Sequence, residues 1–107
     1  MSEVRSFFEG IAAGVDKSKV AGMTATYQFN ITGEEAMTWS VAIANDDVVV
    51  TEGPAEKASI ELTMVDADFL ALIKGQLNGQ MAFLTGKLKI KGDMTLAMKL
   101  QSIFKLG

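Results

Sequence analysis

Three carboxylate pairs are the residues whose type and spacing could do chemistry: Glu34 with Glu35, Asp46 with Asp47, and Asp66 with Asp68. Paired carboxylates carry out proton transfer when burial drives one pKa away from the other. Each pair here, however, falls in a stretch that reads as a turn or a helix start. At such places Asp and Glu accept backbone N–H bonds or stay in water, so a structural role is expected for all three. The chain has no His and no Cys. That excludes Ser-His-Asp and Cys-His machinery, thiolate nucleophiles, disulfides and Cys/His zinc sites, together with the side chain that usually moves protons near pH 7. No catalytic residue, metal site or cofactor is expected.

Gly86-Lys87, following an apolar segment, has the outline of a phosphate loop. The earlier Gly it needs would fall at Met81, and Leu88 stands in the Ser/Thr place, so the match fails. Positive charge is graded along the chain. Residues 1–86 carry five Lys/Arg against twelve Asp/Glu, a net −7, whereas residues 87–107 carry five Lys and one Asp, a net +4. With one Trp and one Tyr, the interleaved basic and aromatic make-up of a nucleic-acid domain is missing, and no nucleic-acid partner is expected. Lys87, Lys89 and Lys91 share one face of a strand. The plain reading is an edge kept soluble by charge; the functional one is a small cationic surface for phosphates or anionic headgroups.

The elements that would position these groups follow from hydrophobic period. Val4, Phe7, Phe8, Ile11, Ala12 and Val15 recur at helical spacing, with Ser2 placed to cap them, and a Gly-bounded loop runs from Gly14 to Gly22. The period then changes to two. Met23, Ala25, Tyr27, Phe29 and Ile31 form one strand. After a Gly33-Glu34-Glu35 turn, Met37, Trp39, Val41 and Ile43 form its hairpin partner. Asn45-Asp46-Asp47 turns into a third strand at Val48-Val49-Val50, which Gly53-Pro54 breaks. Ile60, Leu62 and Met64 mark a fourth strand, reached by a crossover. Asp66 is placed to cap a helix over Ala67 to Lys74, ended by Gly75, and a short apolar segment spans Asn78 to Thr85. Lys87-Leu88-Lys89-Ile90-Lys91 alternates as a fifth strand. A last helix opens at Gly92-Asp93 and ends near Lys105.

One domain is all that 107 residues can hold, and a chain of this size buries roughly 65% of its unfolded surface. No segment is apolar for long enough to span a bilayer, and Met1-Ser2-Glu3-Val4-Arg5 lacks the make-up of a secretory signal. Each strand has a single apolar face, so a two-layer α+β domain is expected, a five-stranded sheet with helices packed on one face. Six internal Met, at 23, 37, 64, 81, 94 and 98, fit irregular packing or an adaptable binding surface. Met94, Leu96, Ala97, Met98, Leu100, Ile103 and Phe104 cover more than one stripe of the last helix. That helix needs a second apolar neighbour besides the sheet.

Asp66 to Lys105 resembles the sterol carrier protein type-two family, the nonspecific lipid-transfer domains. Gln80-Met81-Ala82-Phe83, Gly86-Lys87-Leu88-Lys89-Ile90-Lys91-Gly92 and Leu96-Ala97-Met98-Lys99-Leu100-Gln101 carry the likeness, and Trp39 and the Thr32-Gly33 turn fit it. It covers about residues 20–105. Gly79 stands where a Pro is common, and Ala58-Ser59 replaces a usual Ala-Asp pair. The resemblance implies an intracellular carrier, not an enzyme, with a hydrophobic tunnel between sheet and helices for fatty acids, fatty acyl-CoA or sterol-like lipids. Peroxisomal members end in an S-K-L-type address; here Gly107 displaces such a tripeptide, and a cytoplasmic protein is expected.

On that reading Trp39, Val41, Phe83, Leu84, Met94, Met98, Leu100 and Phe104 line the tunnel, and Gln80 and Gln101 stand near the headgroup. The last helix would form a wall or lid, with its lysines drawn to an anionic membrane surface in transient contact. The protein would be a monomer or weak dimer. An alternative is an accessory or oligomerisation module that presents lipid or quinone precursors to a partner enzyme. An enzyme working with carboxylates and Lys alone ranks last.

Overall fold

The computed structural model describes residues 3–14 and 17–104, and within them every side chain except those of 12–14, 17, 100–102 and 104. Helix α1 (Glu3–Gly14) and a 3-10 turn (Lys17–Lys19) lead into strands β1 (Ala25–Thr32), β2 (Met37–Ala44), β3 (Asp47–Glu52) and β4 (Ile60–Val65). Helices α2 (Asp66–Ile73) and α3 (Gly79–Leu84), strand β5 (Leu88–Gly92) and helix α4 (Met94–Phe104) complete the chain. The expected capping by Ser2, the position of Val15 and the Lys105 end of the last helix lie outside the described residues.

The strands form one sheet in the order β3-β2-β1-β4-β5. The β1–β4 pair is parallel and the other three are antiparallel. Register fixes the faces, because residues directly opposite each other point the same way. Phe29 lies across from Trp39 on β2 and from Leu62 on β4, and Leu62 in turn lies across from Ile90 on β5. Tyr27, Ile31, Val41, Ile60, Met64 and Leu88 join the same apolar face, all buried.

A polar ladder occupies the other face. Gln28 Nε2 donates to Asn30 Oδ1 at 2.9 Å and to Glu61 Oε1 at 3.3 Å, and Asn30 Nδ2 donates to Thr63 Oγ1 at 3.3 Å. The parallel pairing demands a crossover from β3 to β4, and residues 53–59 make it across this polar side without a helix. Ser40 Oγ donates to the Gly53 carbonyl at 2.6 Å, Ala55 N–H to Gln28 Oε1 at 3.0 Å, and Ser59 N–H to the Thr26 carbonyl at 2.9 Å. The connection satisfies its backbone groups on the polar side chains it passes, which leaves the apolar face to the helices.

Two expectations need correction. Asp66 does not cap α2 from outside; it is the first helical residue, and Val65 precedes it with no side-chain cap. Its Oδ1 accepts from the Ala67 N–H at 2.7 Å and its Oδ2 from the Glu35 N–H at 2.8 Å. The carboxylate is drawn back to clamp the β1–β2 turn. Gly33, at φ +100°, leaves room for it, since a Cβ there would lie 2.5 Å from Oδ1. The stretch from Gly14 to Gly22 is also more than a loop: its 3-10 turn sets Val20 wholly inside the core.

Gly92 closes the β4–β5 pair at φ +122°, where an added Cβ would meet the Ser59 carbonyl oxygen at 2.5 Å and Ile60 Cα at 2.9 Å. Both are backbone atoms of a paired strand and cannot rotate away. Gly92→Ala should therefore cost on the order of 2 kcal/mol or more. Gly10→Ala, in α1 with nothing within 4 Å, should stabilise by roughly 0.5–1 kcal/mol. Urea unfolding of the two variants should move the midpoint in opposite directions.

Candidate functional site

The alternation of β5 sends Leu88 and Ile90 to the apolar face and Lys89 and Lys91 to the polar face. Lys87, Lys89, Lys91 and Lys99 are all exposed. On either side of the apolar row the chain places a helix held at its start by a side chain. Asn78 caps α3, its Oδ1 accepting from the Gln80 N–H at 2.8 Å and the Met81 N–H at 3.2 Å. Ala82 is fully buried and pins this short helix to β5, while Met81, Phe83 and Leu84 stay exposed. Gly86, at φ +80°, turns the chain into the strand.

The Asp93 carboxylate accepts from the Thr95 hydroxyl and from the Thr95 N–H, the latter at 2.9 Å, at the start of α4. Those two bonds hold its pKa below the usual carboxylate range, with a smaller contribution from Lys99. Tyr27 rises from the middle of the sheet and donates its hydroxyl proton to the Leu96 carbonyl at 2.8 Å. Burial, and secondarily the Asp93 charge, pushes the Tyr27 pKa up to about 12. The hydroxyl is therefore a donor throughout the physiological range. Ile103 is buried farther along the same helix.

Between α3 and α4, over β5, lies a cavity of about 380 Å³ lined by Gly79, Gln80, Phe83, Leu88, Ile90, Ala97 and Met98. This volume is in the range of small-molecule sites, roughly 300–1,000 Å³. The lining is apolar apart from the Gln80 side chain and backbone. Leu88 is also a wall of a second gap of about 10 Å³ among Phe29, Ile31, Leu62, Met64, Phe69 and Leu72. That gap is apolar and barely large enough for one water, so it stays dry. Among the described side chains the cavity is thus a groove, open past the exposed Met98, with a closed core behind Leu88.

Of the ten residues expected at the site, the structure brings Gln80, Phe83 and Met98 together around the groove. Leu84 and Met94 stand exposed on the same two helices but are not among the lining residues. Trp39 and Val41 are elsewhere, buried on β2 with β1 and β4 between them and β5. Trp39 lies under α1, its ring stacked on Phe8 at 5.1 Å with the planes 11° apart. The side chains of Leu100, Gln101 and Phe104 lie outside those described. Gly79, Leu88, Ile90 and Ala97 also line the groove; the Lys/apolar alternation of β5 was the signal for Leu88 and Ile90. Among the described residues no group of three or more Asp and Glu could hold a metal ion. No helix there is long and apolar enough to cross a membrane.

The sequence model of the SCP-2 sterol transfer family matches residues 8–105. Hydroxysteroid dehydrogenase-like protein 2 of Xenopus laevis is 39% identical over 95% of this chain and 25% of its own length. Sterol carrier protein 2 of Homo sapiens is 44% identical over 79% of this chain and 16% of its own length. The chain thus spans a quarter or less of these relatives. Among solved structures, palmitated SCP2L2 from Aedes aegypti superposes with a TM-score of 0.79 at 25% identity, covering 96% of this chain and 95% of that one.

The Tyr27 bond to α4 generates a pH dependence with a definite sign. The unfolded chain releases the tyrosine proton near 10.0 and the folded one near 12. Between those values the folded state binds more protons, so stability falls as pH rises, by on the order of 2 kcal/mol in all. Tyr27→Phe should lose about 1 kcal/mol at neutral pH and lack that alkaline component. Urea unfolding of both proteins from pH 8 to 11.5 should show the two stability curves converge and then cross at about pH 10.7, above which Tyr27→Phe is the more stable.

Proposed function

The chain belongs to the SCP-2 sterol transfer family, and from that membership and the groove over β5 we propose that it is a carrier of single lipid molecules, not a catalyst. The ligands proposed are fatty acids, fatty acyl-CoA or sterol-like lipids, and the setting proposed is cytoplasmic. The observation that carries the reading is an apolar groove of about 380 Å³ with one polar side chain, Gln80, among its described lining residues. Such a site has little with which to read a headgroup and much with which to hold an alkyl chain. Each methylene buried contributes about 0.8 kcal/mol. A sixteen-carbon chain would gain on the order of 12 kcal/mol gross, which association costs reduce to a micromolar affinity. The palmitated state of the Aedes aegypti neighbour supports an alkyl ligand.

In this reading Phe83, Leu88, Ile90, Ala97 and Met98 contact the chain, and Gln80 meets the polar end. Leu84 and Met94 flank the mouth, while Trp39 and Val41 hold the sheet under α1. Helix α4 moves to admit ligand. Exposed Lys87 and Lys99, next in sequence to the lining residues Leu88 and Met98, would favour transient contact with an anionic bilayer that salt weakens.

A second reading has a specific observation behind it. This fold occupies only 25% of the Xenopus relative, so the chain could present lipid to an enzyme domain or partner rather than ferry it. Native mass spectrometry of gently extracted protein separates the two: a monomer with co-purified lipid supports the carrier, and a lipid-free dimer supports the module.

Affinity for a series of saturated fatty acids should rise with length and then level off, because the groove has finite volume. A flat response from eight to eighteen carbons would remove the alkyl-chain site. Ala97→Phe, which fills the groove, should abolish binding while leaving the stability read from urea unfolding within about 1 kcal/mol of the parent. Bound fatty acid should also slow hydrogen exchange selectively over residues 94–104; protection elsewhere with no change there would remove α4 as the moving element.

A further inference from the structure

We propose that Met98 is a site of reversible oxidation, and that its sulfoxide switches off lipid binding at the groove; the inference rests on the carrier reading above. The six internal methionines differ widely in access. Met64 is 3% exposed, Met94 47%, Met81 54% and Met98 81%. Met23 and Met37 are half-buried, and the Met37 sulfur accepts a hydrogen bond from Trp39 Nε1 at 2.9 Å. Thioether oxidation requires an oxidant to reach a sulfur lone pair, so exposure orders the rates. Met98 is the most accessible of these side chains and, unlike Met81 and Met94, it lines the groove. The chain has no Cys to intercept the oxidant first.

The chemistry is an oxygen-atom transfer from a peroxide. The Met98 sulfur lone pair attacks one peroxide oxygen, an S–O bond forms as the O–O bond breaks, and the departing oxygen leaves as water after a proton shift. Sulfur is oxidised by two electrons and the peroxide is reduced by two. The product is polar and a strong hydrogen-bond acceptor. On the solvated surface of α4 this is tolerated. Against an alkyl chain it must lose its water; its apolar neighbours among the described lining residues, Phe83, Leu88, Ile90 and Ala97, offer no donor, and in the carrier reading the Gln80 amide is taken up by the ligand's polar end. A desolvated, unpaired polar group of this kind should weaken binding by about tenfold. The coupling is reciprocal, so a bound chain lying over Met98 should slow its oxidation.

A leucine here would build the same apolar wall without the sensitivity, which gives the decisive variant. The full chain is treated with graded hydrogen peroxide, methionine sulfoxide is mapped by peptide mass, and affinity is read with a fluorescent eighteen-carbon polyene fatty acid. Met98 should oxidise first, Met81 and Met94 next, and Met64 last. Affinity should fall about tenfold in step with Met98 sulfoxide, and methionine sulfoxide reductase supplied with a dithiol should restore it, the dithiol being oxidised to a disulfide as the sulfoxide oxygen leaves as water. Whatever affinity Met98→Leu has before treatment, it should keep after the same peroxide dose, although Met81 and Met94 are then oxidised. Complete Met98 sulfoxidation with unchanged affinity, or an equal loss in Met98→Leu, overturns the switch alone. Failure of the untreated protein to bind the fatty acid overturns the carrier reading and the switch with it.

Discussion

The ring of Phe8 stacks on Trp39 from β2 at 5.1 Å and on Phe69 from α2 at 5.6 Å, and meets Phe29 and Phe7 edge-on at 5.1 and 5.3 Å. One side chain of the first helix thereby ties together β1, β2 and α2, and with them the fixed half of the domain. Aromatic pairs of this geometry contribute roughly 0.5–1.5 kcal/mol each beyond the area they bury. Exposed ion pairs surround the cluster. Arg5 reaches Glu52 at 2.9 Å with its guanidinium 5.5 Å from the Trp39 ring, and Lys74 reaches Glu3 at 3.3 Å. Such pairs add little stability in water. They settle where α1 and α2 lie, while the rings supply the energy.

That cluster makes the apolar face of the sheet asymmetric. Helix α1 packs over β3 and α2 over β1 and β4, whereas the main cover of β5 is the six-residue α3, with α4 lying over β4 and β5. A short helix cannot bury a broad stripe, so Met81, Phe83 and Leu84 remain outside. The groove is the space left over this half of the sheet. The tightly packed half resists deformation, and the thinly covered half has room for a guest.

Most of this was legible in the sequence, and the misses share one cause. Period two gave the strands and their apolar faces, and helical spacing gave α1, because both patterns are local and one-dimensional. The crossover to the fourth strand was readable from the break at Gly53-Pro54, whereas the parallel pairing of β4 with β1 came only from the structure. What periodicity cannot say is which helix covers which strand of a shared face. Trp39 and Val41 have the same character and face as Leu88 and Ile90, yet the first pair lies under α1 and the second under the groove. Asp66 shows the same limit in a polar residue. Its position argued for a cap; one oxygen does accept the Ala67 N–H, but the other takes the Glu35 N–H, 31 residues away.

The contrast between the two halves also bears on how an apolar site can stay accessible. A groove formed by large rigid rings would close on itself, as the core behind Leu88 has done, because interiors pack to near-crystalline density. Here the wall facing the strand sets a single ring, Phe83, among the small or unbranched Gly79, Gln80, Ala97 and Met98, which do not fill the space between the two helices. Helix α4 is nonetheless not loose, since the buried Tyr27 hydroxyl holds Leu96 and Ile103 seats its far end. The anchors lie on either side of Ala97 and Met98. Those anchors set where α4 rests before ligand displaces it, and the surface left unfilled between them forms one wall of the groove.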